Sequence, residues 1–285
     1  MKTSSLTTSD NIELRYGYAV SDLRKPWIVL VIPFGLDVAI ATPFFDFFKT
    51  HYNVCTWESR SVLENSDRAC GAAEFSIDQH VADLIAVIDT LKIKEAILVG
   101  YCSGAGVALA AINQEPNRFS QLVLAHGEYT MLGEKDCVTQ FAADMDVLLT
   151  LAASSDERAQ LVFEKIQSER YDANLPRPAG LDQPFGDVRY LKRYASNYLA
   201  YKATDYQQLA AEVFHPTLLM AGGRDVQVNV ASSEKIRGHI RNSSIFVDPD
   251  ADHYGVLTPD SGTLIAIWNH ILEHSHAREF HSHYS

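Results

Sequence analysis

Cys102 stands at the centre of the sequence GYCSG, where an apolar stretch gives way to small residues. A sharp strand-to-helix turn holds its central side chain in strained backbone geometry and tolerates only small residues two positions to either side. Gly100 and Gly104 occupy those two positions, so the spacing predicts such a turn with the Cys102 thiol at its tip. Ser103 is the alternative centre, but it would put the bulky Tyr101 where a small residue is required.

A cysteine attacks as its thiolate, so its ordinary pKa of about 8.5 must be lowered or a base must take its proton. The predicted turn places the thiol at a helix N-terminus, where backbone amides favour negative charge. A histidine is still needed, and His253 follows the apolar residues 245–247, while Asp225 follows the apolar residues 218–221. Catalytic groups of parallel sheets gather at the carboxyl ends of strands. We therefore predict that His253 accepts the thiol proton and that Asp225 orients its ring.

Glu128 is an alternative acid, because it comes shortly after the predicted strand 122–125. Three aspartates at positions 248, 250 and 252 crowd the segment before His253 and could mimic a metal site. They lack the regular spacing of cation ligands. The sequence therefore predicts no metal site and no cofactor.

Continuous apolar runs predict the strands that would position these residues. They cover residues 27–32, 52–57, 96–99, 122–125, 216–222 and 244–247, after a hairpin within residues 4–20. Segments of helical periodicity separate most of these runs. This alternation predicts an α/β fold with a mostly parallel central sheet flanked by helices.

The alternation stops between residues 128 and 206, where amphipathic helical segments follow one another. We interpret residues 128–206 as a helical cap inserted into a core made of residues 1–127 and 207–285. Such a cap would set the choice of substrate.

Composition narrows the classes of partner. The 285 residues carry a formal net charge of −12, which disfavours binding to nucleic acid and to anionic membranes. Neither a stretch typical of a signal peptide nor a run long enough to span a bilayer is present in the sequence, so we expect a cytoplasmic protein. The four cysteines form no C-x-x-C pair, which argues against a zinc site or a disulfide framework.

Cys102, Asp225 and His253 follow one another in the order nucleophile, acid, histidine. In this order and with these flanking residues, the chain resembles the α/β-hydrolase superfamily over essentially everything outside the cap. The resemblance implies an α/β-hydrolase fold and a Cys-His-Asp catalytic triad.

The same resemblance implies an oxyanion hole formed by two backbone amides, those of Ser103 and Leu36. Leu36 follows Phe34-Gly35, where relatives often carry His-Gly. Phe34 departs from that pattern.

The G-x-C-x-G sequence is similar to those of assembly-line thioesterases, polyhydroxyalkanoate synthases and dienelactone hydrolases. Exchange of a thiolate with a thioester moves an acyl group between similar leaving groups, so it needs little activation. We therefore expect an enzyme that takes an acyl group from a CoA or carrier-protein thioester onto Cys102. Water would then release it in a thioesterase, or another nucleophile in an acyltransferase or cyclase, with an acyl carrier protein as a candidate partner. The alternatives are a dienelactone-type lactone or ester hydrolase and a non-catalytic binding protein of the same fold.

Overall fold

A computed structural model describes residues 1–64, 71–131, 137–169 and 178–282. This part of the chain contains one eight-stranded sheet. Its strands are β1 (Lys2–Thr7), β2 (Glu13–Ala19), β3 (Trp27–Val31), β4 (Asn53–Trp57), β5 (Ala96–Tyr101), β6 (Phe119–Ala125), β7 (Thr217–Gly222) and β8 (Ser243–Asp248).

The strands lie in the order β1-β2-β4-β3-β5-β6-β7-β8. The pairs β1–β2 and β2–β4 are antiparallel. The other six strands, β3 to β8, run parallel to one another. Every residue of the five strands from β3 to β7 is buried, as expected for parallel strands that are covered on both faces. The predicted mostly parallel sheet is confirmed, and its parallel strands all end at one edge.

Helices cover both faces of the sheet. The helices in the described residues are α1 (Thr42–Phe48), α2 (Ile77–Thr90), α3 (Ser103–Gln114), α4 (Gln140–Ser154), α5 (Asp156–Glu169), α6 (Val188–Lys202), α7 (Tyr206–Ala211), α8 (Val230–Arg237) and α9 (Gly262–Ser282). One apolar cluster joins the sheet to α2 and α3 through residues such as Leu84 and Leu109. A second cluster joins the other face to α1 and α9 through residues such as Phe44 and Ile267. No helix of the described segments has both the length and the apolar character needed to cross a membrane.

Helices α4 to α7 lie between β6 and β7 in the chain, where the cap is predicted. Helices α4, α5 and α6 share a small apolar core that includes Leu149, Val162 and Leu191. The exact limits of the predicted cap, 128–206, stay a prediction, and its residues 132–136 and 170–177 lie outside the described part of the chain. The helical insertion therefore has an apolar core of its own.

Candidate active site

Cys102 occupies the turn between β5 and α3. Its backbone angles are φ 55° and ψ −124°, which a non-glycine residue adopts only under strain. The Cys102 amide donates to the carbonyl oxygen of Ala125 at 2.9 Å, which ties the turn to the neighbouring strand. A Cβ on Gly104 would stand 2.1 Å from the carbonyl oxygen of Val31, and one on Gly100 would stand 2.5 Å from the nearest backbone atom of α3. The small residues flanking Cys102 are therefore a steric requirement of this turn.

Asp225 and His253 meet at the same edge of the sheet, after β7 and β8. Oδ2 of Asp225 lies 2.8 Å from Nδ1 of His253. Oδ1 of Asp225 accepts the amides of Gln227 and Val228 at 2.8 and 2.9 Å, so the carboxylate is fixed from both sides. The Tyr101 hydroxyl donates to the carbonyl oxygen of His253 at 3.0 Å and holds the histidine loop against the sheet.

The side chain of His253 lies close enough to Cys102 for the two to interact electrostatically. Burial alone would lower the pKa of His253, but the charge of Cys102 and the hydrogen bonds with Asp225 and Cys102 raise it to about 10. Burial also opposes the charge of Asp225, yet hydrogen bonds from two histidines hold the pKa of this carboxyl well below its usual range. His253 and Asp225 thus form a hydrogen-bonded pair whose interactions favour the imidazolium together with the carboxylate.

The loop after β3 leaves one buried amide free. Leu36 is 4% exposed, and its N–H has no hydrogen-bond partner within the described residues. The amides around it all donate to side-chain oxygens: Phe34 to Ser103 at 3.1 Å, Gly35 to Ser59 at 2.8 Å, Asp37 to Gln183 at 2.7 Å and Val38 to Glu58 at 3.3 Å. An unpaired buried amide is uncommon, because leaving it unpaired costs about 1–3 kcal/mol. The Leu36 amide is therefore available to an anionic ligand atom.

Ser103, the first residue of α3, supplies the other amide implied by the resemblance. The first amides of a helix have no partner within the helix, so that of Ser103 is placed to meet a ligand beside Cys102. Phe34, where relatives often carry histidine, stacks on the ring of His80 at 4.6 Å and meets the edge of Tyr201 at 5.7 Å. Phe34 therefore fills its position by packing between α2 and the cap helix α6.

The structure does not bring Glu128, the alternative acid, to His253. Its Oε1 lies 3.2 Å from Nζ of Lys202 on α6. Asp225 is the carboxylate hydrogen-bonded to His253. Glu128 therefore links the end of the sheet to the cap.

His126 is a site residue that the sequence reasoning missed. It follows β6 directly, is 1% exposed, and has its Nδ1 3.0 Å from Oδ2 of Asp225. Its place after the apolar run 122–125, at the carboxyl end of a parallel strand, is the signal that could have found it.

His126, Asp225 and His253 each offer one potential ligand atom, and these atoms lie within 4.8 Å of one another. Within the described segments this is the one cluster with such spacing. The separations of 3.0 and 2.8 Å from the carboxylate are those of hydrogen bonds. We therefore interpret the cluster as hydrogen-bonded side chains.

Three tyrosines lie within electrostatic range of Cys102. Burial, and among further causes the charge of Cys102, raises the pKa of Tyr129, Tyr194 and Tyr201. Tyr194 and Tyr201 belong to α6, so the cap reaches over the turn. A bound acyl group would therefore meet aromatic surface on the cap side.

The family model described as alpha/beta hydrolase fold matches residues 42–260. The chain is 24% identical over 239 residues to an L-allo-isoleucyltransferase of Pseudomonas savastanoi pv. glycinea, covering 82% of each chain. It is 27% identical over 194 residues to a 2-hydroxymuconate semialdehyde hydrolase of Pseudomonas sp. (strain CF600), covering 64% of each. Among solved structures, the enol-lactonase from Burkholderia xenovorans LB400 superposes with a TM-score of 0.71 at 17% identity, over 94% of this chain and 100% of that one.

Proposed function

The chain belongs to the alpha/beta hydrolase fold family, and from this premise we propose that it transfers acyl groups from a thioester through a covalent intermediate on Cys102. The observation that carries the proposal is the hydrogen bond between His253 and Asp225, with His253 in electrostatic interaction with Cys102. Cys102 itself lies at a strained turn that projects the thiol at the start of a helix. Such an arrangement generates a nucleophile, which mere packing of a buried cysteine does not require.

In the first step the Cys102 thiolate attacks the carbonyl carbon of the thioester. The developing oxyanion would accept hydrogen bonds from the amides of Leu36 and Ser103. When the intermediate collapses, the bond from carbon to the leaving sulfur breaks, and His253 gives its proton to that sulfur. The product is a free thiol and an acyl group in thioester linkage to Cys102.

In the second step an acceptor attacks the acyl-enzyme. His253, now neutral, takes the proton of the attacking group, and Cys102 leaves as the thiolate. Asp225 stabilises the imidazolium that forms, because its carboxylate is fixed on Nδ1 of the ring. The resting state of the three side chains is thereby restored.

Two arguments favour a thioester substrate and transfer to an acceptor. Exchange between thiols is close to thermoneutral, so a cysteine nucleophile suits thioesters better than esters or amides. The similar L-allo-isoleucyltransferase is, by its name, a protein that transfers an aminoacyl group. Aminoacyl thioesters therefore belong in the first set of test substrates, with a CoA or carrier-protein thiol as donor and acceptor.

Hydrolysis of a lactone or ester is the second candidate. It is favoured by the similarity to the 2-hydroxymuconate semialdehyde hydrolase. The same Cys102 intermediate would then be released by water. A non-catalytic binding protein is less well supported, since it would have no need for a hydrogen-bonded histidine and aspartate beside a strained cysteine.

The test is intact-mass analysis after mixing the protein with aminoacyl-, short-chain acyl- and long-chain acyl-pantetheine and quenching in acid. We expect an adduct of the mass of the acyl group, mapped to Cys102, and its loss when pantetheine is added as acceptor. C102A is the matched control and should form no adduct. Folded protein that forms no adduct with any thioester, but hydrolyses lactones, would replace the proposal by the second candidate. If it does neither, the enzymatic proposal is wrong.

A further inference from the structure

We propose that His126 is a positioning residue, which donates from Nδ1 to Oδ2 of Asp225 and so holds the carboxylate charged and turned towards His253. The inference rests on the proposed function for its consequence in catalysis. Its geometry stands on the two imidazoles that share a single carboxylate oxygen, with Nδ1 atoms at 3.0 and 2.8 Å.

The backbone fixes His126 in this place. It has a φ of 53° at the end of β6, in the left-handed region that a non-glycine residue adopts only when its surroundings impose it. Its amide donates to the carbonyl oxygen of Met220 at 2.9 Å, which links it to β7. Because Asp225 follows β7, one strand pair sets the distance between ring and carboxylate.

The proton on His126 follows from its surroundings. Burial lowers the pKa of His126, so the ring is neutral, and Nδ1 must carry the hydrogen because a carboxylate can only accept. Nε2 then carries no hydrogen and offers only a lone pair. It is buried without a hydrogen-bond partner in the described part of the chain. A charged ring would instead bury an unpaired N–H, which is the costlier arrangement.

The two histidines therefore have different tasks on one acid. His253, after β8, interacts with Cys102 and carries its proton during the reaction. His126, after β6, lies on the other side of Asp225 and keeps its own Nδ1 hydrogen. With the amides of Gln227 and Val228, Asp225 accepts four hydrogen bonds. Removing His126 leaves Oδ2 with one donor and allows the carboxylate to turn and to take up a proton at higher pH.

Other titratable groups face this cluster and must be considered in any pH measurement. They are Cys102 from the turn, Tyr101 from β5, and Asp252 and Tyr254 from the loop after β8. None of them is changed in the variants below, so a difference between variants reports on His126.

The test compares H126F, which keeps a ring but removes the donor, with H126N, whose amide nitrogen can replace Nδ1. H270F removes another buried histidine, on α9, and is the control. The rate of Cys102 alkylation by iodoacetamide is followed by peptide mass analysis between about pH 4 and about pH 9, together with acylation by the thioesters above. Circular dichroism and thermal melting check that each variant is folded.

We expect H126F to slow Cys102 alkylation about tenfold at neutral pH, the size of one lost hydrogen bond to a charged group, and to move the acid limb to higher pH. H126N should stay within about threefold of the wild type, and H270F should match it. A wild-type profile for H126F, or equal losses in H126F and H126N, would overturn the proposal. Because alkylation needs no acyl substrate, this result is separate from a failure of the proposed function.

Discussion

The amide of Phe34 donates to the hydroxyl oxygen of Ser103 at 3.1 Å. This bond ties the loop after β3 to the residue that follows Cys102, so the two amides assigned to the oxyanion hole belong to one hydrogen-bonded unit. In the proposed oxyanion hole Ser103 would therefore contribute twice, through its own amide and through its hydroxyl. The hydroxyl holds the loop in which the Leu36 amide stays free.

S103A tests this link. The variant keeps the Ser103 amide but leaves the buried Phe34 amide without an acceptor, which should lower the free energy of unfolding by about 1–3 kcal/mol. Loosening of the loop should also slow acylation of Cys102 by about tenfold, measured by quenched mass analysis. T42A is the control, since it removes an exposed hydroxyl that donates to the Ala39 carbonyl and has no hydrogen bond to Phe34 or Ser103 among the described residues. Full activity of S103A would show that the loop is held without this hydroxyl.

Residue types and their order predict much of the site. Cys102, Asp225 and His253 each follow a recognisable strand, and strands that run parallel bring their ends to one edge. The steric demand at Gly104 is also local, because it arises where strand and helix meet. These features depend on residues that are neighbours in the sequence and on the rule that parallel strands end at one edge of the sheet.

Other features depend on partners that the sequence does not reveal. The amides on either side of Leu36 donate to side chains from three separate segments, one of them Gln183 of the cap region, whereas no partner of the Leu36 amide lies within the described residues. His126 resembles any histidine after a strand until Asp225 is seen beside it. Glu128 occupies a similar strand end, yet Lys202 on α6 takes its carboxylate. Such pairings are set by tertiary packing.

G104A should disrupt the turn. The added methyl group would stand 2.1 Å from the carbonyl oxygen of Val31, and backbone at the centre of a sheet has little room to move. We expect a loss of about 3 kcal/mol or more in the free energy of unfolding, measured in urea. G71A is the matched control, because no atom of the described residues lies within 4 Å of its new Cβ, and it should change stability by less than about 0.5 kcal/mol. Equal stabilities for the two variants would contradict the steric argument.

The two candidate acids can be separated by one pair of substitutions. D225N removes the charge that holds the His253 imidazolium, so acylation of Cys102 should fall by about 100-fold or more. E128Q weakens a contact with Lys202 at the edge of the cap and should change the rate by less than about threefold. Single-turnover kinetics with one thioester checks both. A larger effect of E128Q than of D225N would restore Glu128 as the acid.

His80 should make the folded protein sensitive to acid. Burial lowers its pKa from 6.5 to about 4, and its Nε2 lies 3.0 Å from Oδ1 of Asn197 on α6, so the neutral ring joins α2 to the cap. Between these two pH values the unfolded chain binds the proton and the folded chain does not. The contribution of His80 to stability is therefore complete above about pH 6.5 and is lost as the pH falls towards about 4, with a total of about 3 kcal/mol.

H80Q removes this titration while its amide can still donate to Asn197. The free energy of unfolding, measured in urea at several pH values, should therefore fall less steeply below about pH 6.5 in H80Q than in the wild type. H51Q, which removes an exposed histidine, is the control and should keep the wild-type slope. Parallel curves for the wild type and H80Q would mean that His80 takes up its proton at the same pH in the folded and the unfolded chain. A neutral His80 ring would then not be what joins α2 to α6.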